Sequence, residues 1–376
     1  MDATTSTQSL ASTWWGRTLL VVFGLATAAT FFVPALATSN MAGPYSIART
    51  LVMLVFIVLV LACRPRHDTA DSIAGASKAM RVLAIVIPVL VVVAALAQWF
   101  WPGVAGAIVR DPTRGWDYRH AIFVKAAFEL AACVIFIIVL VRFIRSKRGK
   151  RGWPIAVSAV CAFLALALAG EELSWGQRIF DWATPAGWGS VNAQDETNLH
   201  NLASETFQNV WYFGCWILLV LLPFFRMILG PALARTKRFA FLPAFLPPSY
   251  FLVIFGVAYG LSDPIVSTSS FPAWTGIHYG SILFTLLATA AVFIYFIVSP
   301  QGSPDAGHRL RLRSIVLLAA LVVTVIVELF LSTSWDINQG VPTEYLETFI
   351  AFGILLWAIV ARKQVVARDA EIDSRG

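Results

Sequence analysis

The sequence predicts an all-α protein, a polytopic membrane helix bundle of about ten transmembrane helices with both termini in the cytoplasm. The first observation is composition, because 58% of the 376 residues are hydrophobic and only 13% are charged, whereas soluble domains carry about 25% charged residues. The second is the recurrence of apolar runs of roughly 20 residues, the length that crosses about 30 Å of hydrocarbon. The third is the placement of basic residues between these runs. Together they exclude a soluble enzyme, a nucleic-acid-binding protein and a disordered chain.

The apolar segments follow one another along the whole chain. They lie at 18–38, 46–63, 82–101, 120–143, 153–174, 208–229, 246–262, 278–298, 314–332 and 344–361. The seventh begins among three prolines, which suit the first turn of a helix but not its interior. We therefore expect a single transmembrane domain over 1–376, an outer loop at 175–207 with a short interfacial helix, and a cytoplasmic tail at 362–376.

The basic residues predict the orientation of these segments. Of the 28 Lys and Arg residues, 22 lie near the termini or around the loops after segments two, four, six and eight, and short loops rich in Lys and Arg stay in the cytoplasm. With its acidic residues included, that side carries +15 and the rest of the chain carries −8. The overall charge of +7 is therefore a topology signal and not a nucleic-acid-binding surface. We expect a multi-pass protein of the inner (plasma) membrane.

The most informative stretch lies where segment five ends and the outer loop begins. It reads EELSWGQRIF at 171–180 and continues with NAQDETNLHNL at 192–202. If the helix continues through the first string, Glu171, Trp175 and Arg178 share one face and a Glu171–Arg178 ion pair is feasible. Glu172 then lies on a neighbouring face. Adjacent carboxylates at the edge of the hydrocarbon repel each other and are poorly solvated, which suits a proton donor or acceptor.

These strings supply candidate residues of two kinds. Catalytic roles are predicted for Glu171, Glu172 and Arg178. Substrate-binding roles are predicted for Trp175, Gln177 and Asn198, which lie in the same strings as the carboxylates.

Three of the five histidines fall at the outer membrane boundary. They are His120, His200 and His278, and His200 and His278 are also candidate partners of the catalytic carboxylates. Three histidines with a carboxylate form a set that suits a divalent metal such as zinc and leaves one position for water. Glu196 precedes His200 by four residues and can orient its imidazole. The same stripe is equally compatible with a solvated amphipathic helix on the membrane surface.

Substrate-binding roles are also predicted for four other ionisable residues within or at the outer ends of apolar segments. They are Lys125, Glu129, Asp263 and Glu328, and intramembrane charges are costly enough to indicate a function. Lys125 and Glu129 are four residues apart and can pair along one helix face. The alternative is a polar clamp between helices. Glu347, near the start of segment ten, is expected only to complement the helix dipole.

The two strings together resemble the signature of an uncharacterised family of bacterial multi-pass membrane proteins. That resemblance implies a shared helical architecture and no particular activity. A partial likeness to CAAX-type intramembrane proteases also exists, because Glu171 and Glu172 match the opening of their EExxxR motif and His200 and His278 follow in order. Gly176 stands where that motif has arginine. This second likeness implies a Glu- and His-activated water.

Three functions are consistent with these features. The first is a hydrolase or transferase that acts on a membrane lipid or a lipid- or polyprenyl-linked envelope substrate at the outer leaflet. The second is a transporter or ion-coupled carrier in which the intramembrane charges line a path. The third is a non-catalytic scaffold for envelope assembly. The tryptophans concentrated at the outer boundary fit an aromatic belt or a groove for an acyl chain.

Overall fold

Helices make up all the regular structure in the part of the chain that the computed structural model describes. That part comprises residues 13–31, 44–63, 77–80, 82–84, 86–87, 90, 118–146, 152–189, 196–199, 210–211, 213–236, 239–252, 254–256, 280–292 and 343–374. In chain order the helices are α1 (Trp14–Phe31), α2 (Pro44–Cys63), α3 (Tyr118–Arg145), α4 (Gly152–Glu172), α5 (Gln177–Phe180), α6 (Ala186–Gly189), α7 (Phe213–Arg235), α8 (Leu242–Phe245), α9 (Gly280–Val292) and α10 (Thr343–Ser374). A 3₁₀ turn at Ser174–Gly176 joins α4 to α5.

Five helices are long and apolar enough to cross a membrane. Their spans are Trp14–Phe31, Ile122–Arg145, Gly152–Glu172, Phe213–Arg235 and Glu347–Glu371, and two shorter apolar helices cover Ala48–Ala62 and Gly280–Val292. Many of their large apolar side chains point outward, for example Leu25 and Phe163, which are 67% and 66% exposed. A surface of this kind is stable when lipid covers it. The chain is therefore an α-helical membrane protein, and the five long helices coincide with predicted segments one, four, five, six and ten.

The remaining predicted segments are covered less completely. Segments two and eight correspond to the two shorter apolar helices, and helical residues occur within segments three and seven. Segment nine, at 314–332, lies outside the described residues. The outer loop is described at 175–189 and 196–199. The residues expected to form a cytoplasmic tail continue α10 as helix to Ser374.

Helix α3 lies between α4 and α10. It packs along both of them, and side-chain pairs at its two ends give the directions of the three helices. Near its start, Lys125 contacts Glu172 at the end of α4 and Glu347 near the start of α10. Near its end, Arg142 contacts Asp369 near the end of α10. Helices α3 and α10 therefore run parallel, and α4 runs antiparallel to both.

The buried face of α3 follows the helical repeat from one end to the other. Its buried residues are Ile122, Lys125, Ala126, Glu129, Ala132, Cys133, Phe136, Val139 and Phe143, which recur three or four positions apart. Phe136 packs against Trp357 of α10 with ring centroids 4.8 Å apart. The indole N–H of Trp357 donates to the Phe245 carbonyl at 2.6 Å. This apolar packing aligns the polar ends of the three helices.

Helix α7 departs from regular α geometry at Ile217–Leu221, which form a π-helical segment. Pro223 lies two positions after the end of this segment and has no N–H to donate to the carbonyl four residues before it, that of Leu219. The shift in hydrogen bonding occurs next to that gap, as is common for π-bulges. Trp216, just before the segment, donates its indole N–H to Thr285 of α9 at 2.8 Å.

Candidate functional site

The helix expected to continue through the EELSWGQRIF string ends at its second glutamate. Helix α4 stops at Glu172, and Ser174, Trp175 and Gly176 then adopt left-handed φ angles of 47°, 52° and 101°. The condition for one continuous helical face is therefore not met, because the chain leaves the helical conformation at this turn. A Cβ at Gly176 would lie 2.9 Å from the Trp182 ring, so the turn needs glycine there.

Hydrogen bonds between the two halves of the signature stabilise this turn. We call Ser174, Gln177, Arg178, Glu196, Thr197 and Asn198 the signature clasp. Arg178 Nη2 donates to Glu196 Oε1 at 2.5 Å, and its Nε donates to Ser174 Oγ at 3.2 Å. Asn198 Nδ2 donates to Glu196 Oε2 at 2.7 Å. The segment at 196–199 is therefore tied to the end of α4, although about 20 residues separate the two in sequence.

The remaining members of the clasp complete the connection. The Thr197 backbone N–H donates to Gln177 Oε1 at 2.7 Å, and the Thr197 hydroxyl donates to the Ser174 carbonyl. Asn198 and Ser174 are fully buried. Left-handed residues other than glycine cost on the order of 1–3 kcal/mol each, and the clasp supplies the contacts that hold them. The side chains of Gln177, Arg178 and Asn198 thus make structural contacts at the positions for which the sequence predicts substrate or catalytic roles.

Glu171 is also occupied by contacts within this region. Its Oε1 accepts from the Trp175 indole N–H at 2.7 Å, and its Oε2 accepts from the Leu199 backbone N–H at 2.8 Å. The feasible Glu171–Arg178 pair is therefore replaced by the Arg178–Glu196 pair. Of the adjacent carboxylates, Glu171 faces the loop and Glu172 faces the helix bundle.

Glu172 belongs to a cluster of charged residues from three helices. We call Lys125, Glu129, Glu172 and Glu347 the outer ion cluster, because all four lie at the end of the bundle that the basic-residue rule predicts to face outward. Lys125 Nζ lies 2.9 Å from Glu172 Oε2 and 2.5 Å from Glu347 Oε2. The Lys125 side chain is 3% exposed, whereas those of Glu172 and Glu347 are 19% and 22% exposed. The two glutamates therefore form the mouth of the cluster, and the lysine lies beneath them.

Glu129 is the deepest member of the cluster. It is one helical turn beyond Lys125, about 6 Å further along α3, and its residue is 2% exposed. Lys125, Glu172 and Glu347 all act on it electrostatically. Within the described residues, its Oε2 atom has no hydrogen-bond partner. The expected pairing along α3 is thus not the main interaction of Lys125, whose ion pairs reach across to α4 and α10.

The charges of the outer ion cluster do not cancel. One ammonium faces three carboxylates, so the formal charge is −2 when all four side chains are ionised. The nearby Arg178 cannot offset this excess, because its guanidinium pairs with Glu196. Carboxylates in such a poorly solvated setting can accept or donate a proton, or bind a cation.

An exposed aromatic group borders this end of α4. Phe180 and Trp182 stack with ring centroids 5.4 Å apart, and Phe180 is 69% exposed. The adjacent Trp175 and Ile179 are also exposed. We call these four residues the aromatic rim. Amphipathic rings and apolar side chains of this kind partition to the level of lipid headgroups.

Several predicted site residues lie outside the described part of the chain. They are His200, His278, Asp263 and Glu328, and for His120 only the backbone is described, within α3. Among the described residues, no group of three or more His, Cys, Asp or Glu side chains is arranged to hold a metal ion. Zinc binding by the three histidines stays a prediction.

Two residues of the site carried sequence signals that were assigned to other roles. Glu347 was expected only to complement a helix dipole, but it lies at the same depth as Lys125 and pairs with it. Glu196 was considered as a partner of His200, whereas the structure places it against Arg178 and Asn198. The sequence signal that could have identified Glu347 is its predicted depth in the membrane, which matches that of Lys125. Nothing in the spacing of Glu196 and Arg178 predicts their pairing.

Comparisons with known proteins complete this description. Searches against protein-family models, curated proteins and solved structures find no match to the chain.

Proposed function

We propose that the protein is a multi-pass enzyme of the inner membrane, with about ten transmembrane helices and cytoplasmic termini, that hydrolyses or transfers part of a lipid at the outer leaflet. The observation that carries this proposal is the outer ion cluster. It combines buried and half-buried ionisable groups at one end of the bundle, next to the aromatic rim. A lipid headgroup can reach this position from the membrane surface.

Glu172 is the residue that we propose as general acid or base. It lies at the mouth of the cluster, where a substrate can approach, and Lys125 holds its carboxylate at 2.9 Å. Proton transfer by a positioned side chain typically contributes 10²–10⁴-fold to a rate. Lys125 acts as a positioning residue, since it is too buried to meet a substrate before the two glutamates do.

A one-sided site supports an enzyme over a carrier. From Glu129 towards Arg142, the buried face of α3 holds Ala132, Cys133, Phe136 and Val139, all without charge. Ionisable groups reappear at the far end, where Arg142 pairs with Asp369 and Arg226 donates to Gln364. The described helices thus carry charge at both ends and apolar packing between them.

The test is complementation of a deletion strain, with the envelope lipids analysed by mass spectrometry. We expect Glu172→Gln to insert at the wild-type level but to leave the lipid profile of the deletion strain unchanged. The matched control is Glu371→Gln, the same substitution in a partly exposed residue near the end of α10, and it should restore the wild-type profile. Full restoration by Glu172→Gln would remove Glu172 from the proposed mechanism.

An ion-coupled carrier is the second candidate, and the burial of Glu129 within a span favours it. Purified protein in sealed vesicles would then show uptake driven by a pH gradient or a membrane potential, and Glu129→Gln would abolish it. Uptake of this kind, together with an unchanged lipid profile in the deletion strain, would reverse our ranking of the two functions.

A further inference from the structure

We infer that the outer ion cluster recognises a lipid whose headgroup carries a protonated amine, such as phosphatidylethanolamine, and not an anionic polyprenyl phosphate. This inference rests on the proposed function and names the substrate class of the same site. Three observations carry it. The carboxyl groups of the cluster outnumber its ammonium, a buried glutamate oxygen has no hydrogen-bond partner among the described residues, and the nearby cations already pair with carboxylates.

The charge of the cluster favours a cationic ligand. Lys125 contacts Glu172 and Glu347 and acts electrostatically on Glu129, so among the described members of the site three carboxyl groups face a single ammonium. Low-dielectric surroundings strengthen both the repulsion between the carboxylates and their attraction for a cation. An ammonium headgroup would relieve the repulsion, whereas a phosphate would add to it.

The oxygen of Glu129 is the second, independent observation. A buried carboxylate oxygen without a partner is costly, and Glu129 Oε2 is in that state in the described part of the chain. A primary ammonium has three N–H donors and no acceptor, so it can satisfy this oxygen while it contacts a second carboxylate. Lys125 illustrates the geometry, because its own ammonium bridges Glu172 and Glu347.

The nearby cations argue against an anionic headgroup. Phosphate sites in proteins normally use Arg, Lys or a metal ion. Beside the outer ion cluster, Lys125 is engaged by two carboxylates and Arg178 by Glu196. Arg49, at the predicted outer end of α2, is buried at 3% exposure. The phosphate of an aminated lipid need not enter the cluster, because its position at the membrane surface leaves it beside the aromatic rim.

The test measures which lipid the full-length protein retains. The protein is reconstituted in bilayers of equimolar phosphatidylethanolamine, phosphatidylcholine and phosphatidylglycerol, extracted in mild detergent, and its bound lipids are counted by native mass spectrometry. We expect phosphatidylethanolamine to be enriched at least threefold over both other lipids. Phosphatidylcholine carries the same positive charge as phosphatidylethanolamine, but its quaternary amine has no N–H to donate. Comparing the two lipids therefore separates the effect of hydrogen bonding from that of charge.

Two isosteric variants keep the test decisive if one of them folds poorly. Glu129→Gln and Glu347→Gln should each reduce the enrichment to the level of bulk lipid, while Glu371→Gln should retain it. Enrichment of phosphatidylglycerol, or an enrichment that both cluster variants preserve, would overturn the inference. Release of the bound lipid by an equimolar amount of soluble ethanolamine would also overturn the inference. The site would then recognise a free amine and not the amine of a lipid headgroup.

Failure of this inference is distinguishable from failure of the proposed enzyme. If phosphatidylethanolamine is enriched but the deletion strain shows no change in any envelope lipid, recognition stands and the enzyme proposal fails. If an anionic lipid accumulates in the deletion strain and Glu172→Gln does not correct it, the enzyme proposal stands and the headgroup assignment fails.

Discussion

Replacing Lys125 with methionine tests whether the outer ion cluster exists as described. The substitution keeps an unbranched side chain of similar length but removes the only described cation between Glu129, Glu172 and Glu347. At the observed distances of 2.9 and 2.5 Å, each ion pair is worth roughly 6 kcal/mol at an effective dielectric constant of about 20. Desolvation of the ions offsets several kcal/mol of that attraction.

The net loss in the free energy of unfolding depends on the carboxylates that remain without a cation when the lysine is removed. Removing one partner of a buried ion pair typically costs about 3–5 kcal/mol, because an uncompensated charge stays buried. We expect a loss of that size, which lowers the thermal midpoint in detergent by roughly 10 °C. Tryptophan fluorescence during a thermal ramp measures the change. Lys363→Met is the matched control, since Lys363 is exposed on α10, and its midpoint should stay within about 1–2 °C of wild type.

A combined variant separates lost charge compensation from lost packing. Lys125→Met together with Glu172→Gln and Glu347→Gln removes most of the excess charge, and neutral replacements of buried ion networks are often tolerated. We expect this variant to regain at least half of the lost midpoint. A Lys125→Met protein as stable as wild type, or a combined variant less stable than Lys125→Met, would refute the reasoning.

Three further predictions concern the signature clasp, its turn and the topology. Arg178→Gln should cost about 1–3 kcal/mol, because it leaves a partly buried carboxylate without its cation; faster proteolysis in the outer loop would report this, and an unchanged rate would contradict it. Gly176→Ala should lower stability by roughly 1–2 kcal/mol, since its φ is +101° and an added Cβ would meet an aromatic ring. Gly187→Ala is the matched control, because nothing lies within 4 Å of its added Cβ. Finally, cysteine at Phe180 should react with a membrane-impermeant maleimide added to intact cells, and cysteine at Ser374 should react only after lysis. The reverse pattern would invert our orientation.

Much of the fold follows from hydropathy, because hydrocarbon imposes a length and an apolar composition on every helix that crosses it. Segments four, five and ten were predictable for that reason, and they correspond to spans Ile122–Arg145, Gly152–Glu172 and Glu347–Glu371. Which helices pack together was not predictable, since apolar surfaces of similar composition pack in many combinations. The contact of α3 with both α4 and α10 is of this kind.

The candidate site shows the same division. Local spacing identified Glu172 and Lys125 as unusual, because ionisable residues in apolar segments stand out in any sequence. It also suggested two local pairs, Lys125 with Glu129 and Glu171 with Arg178. Lys125 does act on Glu129, but its ion pairs are with Glu172 and Glu347, and Arg178 pairs with Glu196 in place of Glu171. Charges on different helices can meet in the desolvated interior. Their geometry there is better than that of exposed neighbours on one helix.

Composition along the chain was enough to predict a helical membrane protein, and the placement of its charged residues predicts that the carboxylates concentrate opposite the basic loops. The pairing of Lys125 with Glu347, 222 positions later in the chain, becomes visible only in three dimensions. The same is true of Glu196, which closes the turn after α4 through Arg178. A charge in a low-dielectric interior pairs with the nearest opposite charge in space. Distance along the chain does not reveal which one that is.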